Sequence, residues 1–333
     1  MSVVSIKPKT SSKKETKKEI IYDAIIVGGG PAGLTAGIYL GRARMSTLLI
    51  EKALPGGQAI LTEIIENYPG FPFGITGPEL MQKMEEQAVG FGLKIEYGEV
   101  AEVNIKEGKE NKVKMVKINN QEYKTLAIIL ASGAEASKLE VPGEEELRGR
   151  GVSYCATCDA PFFKNQKIVV VGGGDTAIEE ALYLTKFVRE VTIIHRRDRL
   201  RATKILQERV FANKKINFTW DSVATKILGK EKVEGVLIQN KKTGEEKEIF
   251  CQGVFVFVGN VPNSKFLNEI IKLDKKGYIL TDNNMMTSQE GIYACGDVRK
   301  KLLRQVVTAC GEGATAAFAA QKYIEELKGT SYK

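Results

Sequence analysis

From residue 20 onward the chain repeats one arrangement of apolar and polar positions. Nearly unbroken apolar runs at 24–27, 47–50, 125–130, 168–171, 190–194 and 253–258 read as strands. Two of them, 24–27 and 168–171, run into a glycine-rich turn, then a stretch with helical spacing (31–41 and 176–184), then another apolar run, so each predicts a βαβ unit. Residues 79–89 place Leu80, Met84 and Ala88 on one helical stripe, which is ordinary core packing. Alternating segments at 94–105 and 112–118 predict antiparallel strands leading back to 125–130, and 216–227 and 232–239 precede 253–258 in the same way. The order of elements therefore occurs twice, which predicts an internal duplication.

The remaining segments refine this picture. Residues 52–78 are rich in glycine and proline and too long for an idle connection, so they are expected to cover a ligand. The turn Ala131-Ser132-Gly133-Ala134 marks the exit from the first unit. A C-terminal helix from about 305 carries Gly311, Gly313, Ala316, Ala317, Ala319 and Ala320, small residues suited to close approach of another backbone or a cofactor. It completes the first unit. The predicted fold is α/β with two Rossmann-like, three-layer domains, the second inserted into the first: 20–137 with 265–333, and 138–264.

Composition changes little. At 333 residues the chain is sized for two domains. Hydrophobic residues at 43% and charged residues at 27%, with no apolar run near the ~18 residues needed to cross a bilayer, predict a soluble protein with no membrane partner. The formal charge is +8, but half of that excess lies in the lysine-rich residues 1–19, read as a solvated, disordered extension, so nucleic acid is not indicated. Five cysteines without secretion features fit a reduced, cytoplasmic setting, with Cys251, Cys295 and Cys310 read as small buried hydrophobes.

The chemistry sits in the turns. In Gly28-Gly29-Gly30-Pro31-Ala32-Gly33 the missing side chains let a pyrophosphate approach the helix start, and Glu51, 23 residues beyond Gly28, is placed to accept hydrogen bonds from an adenosine ribose. The second turn, Gly172-Gly173-Gly174-Asp175-Thr176-Ala177, has His195 at the same distance, followed by Arg196 and Arg197, with Arg201 close by. Cations in place of the acid favour a 2'-phosphate and hence NADP(H). His195 is the single histidine, which excludes a Ser-His-Asp triad elsewhere, and it is expected to line the same pocket. Between the two turns, Cys155-Ala156-Thr157-Cys158 has dithiol spacing, and Asp159 follows as a proton donor or acceptor. Zinc would need four ligands, and no second pair is near. Phe162 and Phe163 read as core anchors of that loop. Asp297, after a glycine at a strand end, suits the hydroxyls of a flavin ribityl chain, with a helix cap as the alternative. Arg304 and Gln305 are candidate isoalloxazine or phosphate contacts, and Gln58 and Asn67 candidate flavin or adenine contacts.

The motifs GGGPAG at 28–33, GGQ at Gly56-Gly57-Gln58, ENYPG at 66–70, CATCD at 155–159, GGGDTA at 172–177, HRRDRLR at 195–201 and GDV at 296–298 together resemble the low-molecular-weight, bacterial-type thioredoxin reductases, over everything from residue 20 on. The resemblance implies FAD in the first site, NADPH in the second, a homodimer, and thioredoxin as substrate. It also implies that Cys158 meets the flavin, Cys155 exchanges with thioredoxin, and Asp159 is the acid. An NAD(P)H oxidase, a ferredoxin-NADP reductase, or a reductase of another thioredoxin-like or glutaredoxin-like protein is the alternative. Asp175 departs from the family's usual Asn or Ser and is expected to disfavour a nearby phosphate slightly. Because dithiol and NADPH site share one domain yet must both reach one flavin, 138–264 is expected to rotate about hinges near 135–143 and 262–265.

Overall fold

The structure is a computed structural model and describes residues 20–105, 113–119, 121–267 and 270–331. The basic extension 1–19 lies outside the described residues. Two sheets organise the chain. The first takes strands Lys94–Tyr97, Thr47–Glu51, Ile21–Val27 and Gln121–Leu130 in that spatial order, followed by the antiparallel Lys114–Ile118 and Val100–Ile105. The long strand Gln121–Leu130 serves two neighbours on one edge: its first half pairs with Lys114–Ile118, and Ile128 to Leu130 pair in parallel with Ile292–Ala294. The C-terminal segment thus closes the first sheet, as expected. The second sheet is all parallel, in the order Ile216–Thr219, Glu190–Ile194, Lys167–Gly172, Gly253–Phe257, Val152–Ser153.

The central stretches of both sheets, such as Ala24 to Val27, Thr47 to Ile50, Ala127 to Leu130, Ile168 to Val171 and Gly253 to Val256, are buried on both faces, which is why they read as nearly continuous apolar runs, whereas edge strands such as Lys94–Tyr97 keep polar residues. Helices Pro31–Arg42, Gly77–Gly90 and Val306–Lys328 cover one face of the first sheet, with Leu34, Leu40, Met81 and Ile129 fully buried between them. Strands Val100–Ile105 and Lys114–Ile118, with Leu267, Ile271 and Ile279, cover the other. In the second sheet, helices Asp175–Leu184 and Lys204–Ala212 pack on one face, and the antiparallel sheet of Ser222–Leu228, Gly235–Asn240 and Glu246–Phe250 packs on the other. The expected pair of three-layer Rossmann-like domains is present.

Two expectations are corrected, and one helix is added. Residues 94–105 are two strands, because Lys94–Tyr97 joins the parallel edge beside Thr47–Glu51 and only Val100–Ile105 turns back to pair antiparallel. Ile216–Thr219 is the parallel edge strand of the second sheet, paired with Glu190–Ile194. Helix Lys204–Ala212 was not foreseen, since only Leu206 and Val210 of it are buried and its apolar stripe is thin.

The two passages between the sheets run side by side: Ala134–Ala136 and Asn260–Pro262 form a two-stranded antiparallel ribbon. Two exposed ion pairs, Lys186 to Glu63 at 2.6 Å and Arg209 to Glu66 at 2.8 Å, also link the helical side of the inserted domain to the glycine-rich loop of the first.

Candidate functional site

The first glycine turn is shaped for close backbone approach. A Cβ on Gly33 would collide with the Gly28 carbonyl oxygen, and one on Gly28 with the Ala131 carbonyl, so neither position accepts a side chain. Above Gly30, by contrast, the nearest atom to such a Cβ is Gly57 Cα at 3.8 Å, leaving an open cradle at the start of helix Pro31–Arg42. No side chain caps that start, so its first amides remain available to an anion. Glu51 Oε2 accepts the Gly29 amide at 2.6 Å and Oε1 the Ala53 amide at 3.0 Å, which fixes the carboxylate at the strand end.

The C-terminal segment reaches the same cradle. A Cβ on Gly296 would stand 2.9 Å from Ala32 Cβ, and Gly313 of the last helix packs directly on the Ala32 backbone, as expected, whereas a Cβ on Gly311 would meet nothing within 4 Å. Asp297 is not a helix cap but sits in the short turn Gly296–Val298, 3.1 Å from Lys301 Nζ. Lys301 also lies 3.3 Å from Glu312, which pairs with Arg299 at 3.0 Å and accepts the Gly296 amide at 2.8 Å. Gln305 caps the last helix through a reciprocal bond pair with Thr308, and its Oε1 accepts from Asn67 at 3.0 Å, which brings those two predicted positions together. Arg304 lies over the Tyr278 ring, 4.1 Å from its centroid, with Nε buried and unpartnered. Gln58 and Gly57 are exposed in the short helical turn Gly57–Leu61, and Gly133 adopts a left-handed φ of 68° before the ribbon.

In the second turn, His195 is packed against Gly173 so closely that a Cβ there would strike its ring, and Trp220 meets the imidazole edge-on. Burial and the neighbouring arginines hold its pKa below the usual imidazole value. Arg196, Arg197, Arg199 and Arg201 are exposed and make no ion pair among the described residues. Arg201 Nη2 comes within 3.5 Å of where a Gly174 Cβ would be, over the uncapped start of helix Asp175–Leu184, where Thr176 is exposed. Asp175 does not point its charge at this opening unopposed: its Oδ1 accepts the Thr203 amide at 2.7 Å. The departure from the family pattern therefore has a structural use, tying the arginine loop to the helix start.

Cys155 and Cys158 form a disulfide across the one-turn helix Ala156–Asp159. Cys158 is exposed and Cys155 half-buried. Cys155 and Asp159 line a cleft of about 450 Å³ that Gln58 and Leu61 of the first domain also line. Phe163 is buried against Phe255, ring centroids 5.3 Å apart, as expected, but Phe162 is 77% exposed beside the dithiol and is not a core anchor. Cys251 and Cys295 are buried, and burial pushes both thiols up to about 12. Cys310 is only half-buried, 3.8 Å from the Tyr68 hydroxyl.

Lys301 and a buried acid behind the dithiol were missed by sequence reasoning. Glu180, on the helix packed behind the dithiol turn, has a buried Oε2 without a partner. Burial, with Glu179 and Glu63 nearby, raises its pKa to about 7 against the opposing pull of the Ala156 amide. Nothing in an amphipathic pattern distinguishes it from the exposed Glu179 beside it.

Residues 22–313 match the pyridine nucleotide-disulphide oxidoreductase family. The chain belongs to that family. It is 52% identical to the thioredoxin reductase of Bacillus subtilis over 314 residues, 94% of this chain and 98% of that one. Among solved structures, Lactococcus lactis thioredoxin reductase in its FR conformation superposes with a TM-score of 0.89 at 49% identity, covering 92% of this chain and 99% of the other. Thioredoxin reductase from Streptococcus pyogenes, at 47% identity with 93% and 100% covered, gives 0.62. Within this family membership, both glycine cradles fit dinucleotides: each has room above its third glycine, Gly30 or Gly174, uncapped amides at a helix start, and donors or acceptors of the sign its strand end requires.

Proposed function

We propose that this protein is an NADPH-dependent reductase of the disulfide of thioredoxin or a thioredoxin-like protein, acting as a homodimer in the cytoplasm. The observation that carries the reading is the Cys155–Cys158 disulfide, set at a cleft between two dinucleotide-shaped domains. Gly28, Gly30, Pro31, Ala32, Gly33, Glu51, Gly57, Gln58, Asn67, Gly133, Asp297, Arg304 and Gln305 would hold FAD. Gly172, Gly174, Asp175, Thr176, His195, Arg196, Arg197 and Arg201 would hold NADPH. When bound, NADPH supplies a hydride and FAD relays its two electrons to sulfur.

The chain's own residues do the rest. Opening the Cys155–Cys158 bond takes two electrons and two protons, and Asp159, next in sequence to Cys158, is the side chain placed to hand on a proton. The Cys155 thiolate then attacks the partner's disulfide, and Cys158 resolves the mixed disulfide, so the pair ends oxidised and the partner leaves as a dithiol. Phe162, exposed in the turn Ala160–Phe163 that follows the dithiol, offers the apolar contact a protein partner would cover.

In this arrangement Cys155 lines the cleft and Cys158 faces solvent, so the assigned roles require 138–264 to turn between steps. The two TM-scores support this: a fall from 0.89 to 0.62 with almost no fall in identity is what a change of domain orientation produces. The decisive variant is Cys158→Ser. Anaerobic NADPH should still bleach its flavin, while thioredoxin reduction is lost; persistent thioredoxin turnover rejects the assignment.

A further inference from the structure

The cluster at the end of the first sheet holds a cation among carboxylates where few cations are buried. The Lys301 side chain is 6% exposed and lies between Asp297 at 3.1 Å and Glu312 at 3.3 Å. Arg299 neutralises Glu312 from the other side, and both of their side chains are nearly enclosed. Asp297 Oδ1 is buried and makes no hydrogen bond, so Lys301 is its close polar neighbour among the described residues, while a third of the Asp297 side chain stays accessible. Thr308 and the Leu303 carbonyl complete the polar surroundings.

A lysine is not buried between two acids for stability alone, since such groupings lose in desolvation much of what they gain in attraction. Its position supplies another reason. The Gly296 to Asp297 turn touches Ala32, at the phosphate cradle of the first glycine turn. Without Lys301, the turn beside that cradle would carry two carboxylates balanced by one arginine, a poor setting for a nearby pyrophosphate.

We propose that Lys301 is a positioning residue for FAD: it offsets the charge of Asp297 and Glu312 beside the cradle and holds the Asp297 carboxylate toward the ribityl hydroxyls. This rests on the FAD reading of the first site. Neither the GDV motif nor the Rossmann fingerprint assigns the residue a part.

The test is FAD affinity of the stripped, reloaded protein, read by quenching of flavin fluorescence. Lys301→Met should weaken binding at least tenfold, Lys301→Arg should recover most of it, and Lys301→Met with Glu312→Gln should also recover most of it. The last rescue is specific, because removing a carboxylate restores charge balance but no packing. If Lys301→Met binds FAD as tightly as the parent, or if the double variant is no better than the single, the proposal fails. Should Lys301→Met not fold, Glu312→Gln alone decides: tighter FAD binding supports the proposal and weaker binding overturns it. A parent protein that takes up no FAD at all is a different result and refutes the cofactor assignment itself.

Discussion

At the scale of single residues, the second nucleotide site shows how charge selects a ligand. Arg201 stands exposed beside a helix start and Arg197 is exposed on the same loop, with no acid among the described residues paired to either, so a 2'-phosphate meets cations that have no such partner to give up. Replacing both with alanine should raise the KM for NADPH by at least about a hundredfold, since hydrogen bonds to charged groups contribute roughly 1.5–3 kcal/mol each, and should leave the KM for NADH nearly unchanged. Steady-state kinetics with the two cofactors checks this. An equal loss for both would mean the arginines serve the fold instead. These positions were legible because the glycine spacing points to them. Lys301, Glu180 and Phe162 were not, because their roles depend on what surrounds them: a lysine, a glutamate and a phenylalanine carry no mark of being enclosed or exposed.

At the scale of elements, buried strands and the helices between them could be read from apolar runs, since a strand covered on both faces has no polar residue to hide its period. Edge elements were harder. Lys94–Tyr97 has a half-exposed alternation that fits either direction of pairing, and its parallel register is set by the neighbouring strand. Helix Asp175–Leu184 carries a penalty of its own making. The Glu180 carboxyl, held protonated to about pH 7 by burial, would ionise near 4.5 when unfolded. The folded chain therefore binds the extra proton between those values, and stability is lost as pH rises through that window. Above pH 7 the cost is about 3 kcal/mol at most, from about 1.4 kcal/mol per pH unit. Glu180→Gln keeps the shape and removes the charge, so thermal melting of the oxidised protein should match the parent near pH 4.5 and exceed it by several degrees at pH 8. A constant difference across pH would show that the carboxyl does not titrate in this window.

For the whole molecule, the two domains meet through weak polar contacts, and this suits a protein that must rearrange. Exposed ion pairs such as Lys186 to Glu63 and Arg209 to Glu66 contribute roughly 0–1 kcal/mol each, too little to fix one orientation. Tethering cysteines introduced at 63 and 186 with a short crosslinker, in a Cys310→Ser background, should stop NADPH-driven thioredoxin turnover while one half-reaction, flavin reduction by NADPH or dithiol-to-flavin transfer, survives. Full turnover in the tethered protein would rule the rotation out. The duplication of glycine turns made two nucleotide domains legible from sequence; how they lean on each other was not, since no single residue encodes an angle.

The ribbon of Ala134–Ala136 with Asn260–Pro262 bears on how such a turn is made. Because the outgoing and returning chains are zipped together where they cross, the inserted half is mounted on one spindle instead of two separate tethers. Torsion is then shared by both strands, and swivelling need not shear one past the other. An extra residue spliced into one arm alone would throw the zipper out of step, whereas matched additions to both would lengthen the axle and leave it free to spin.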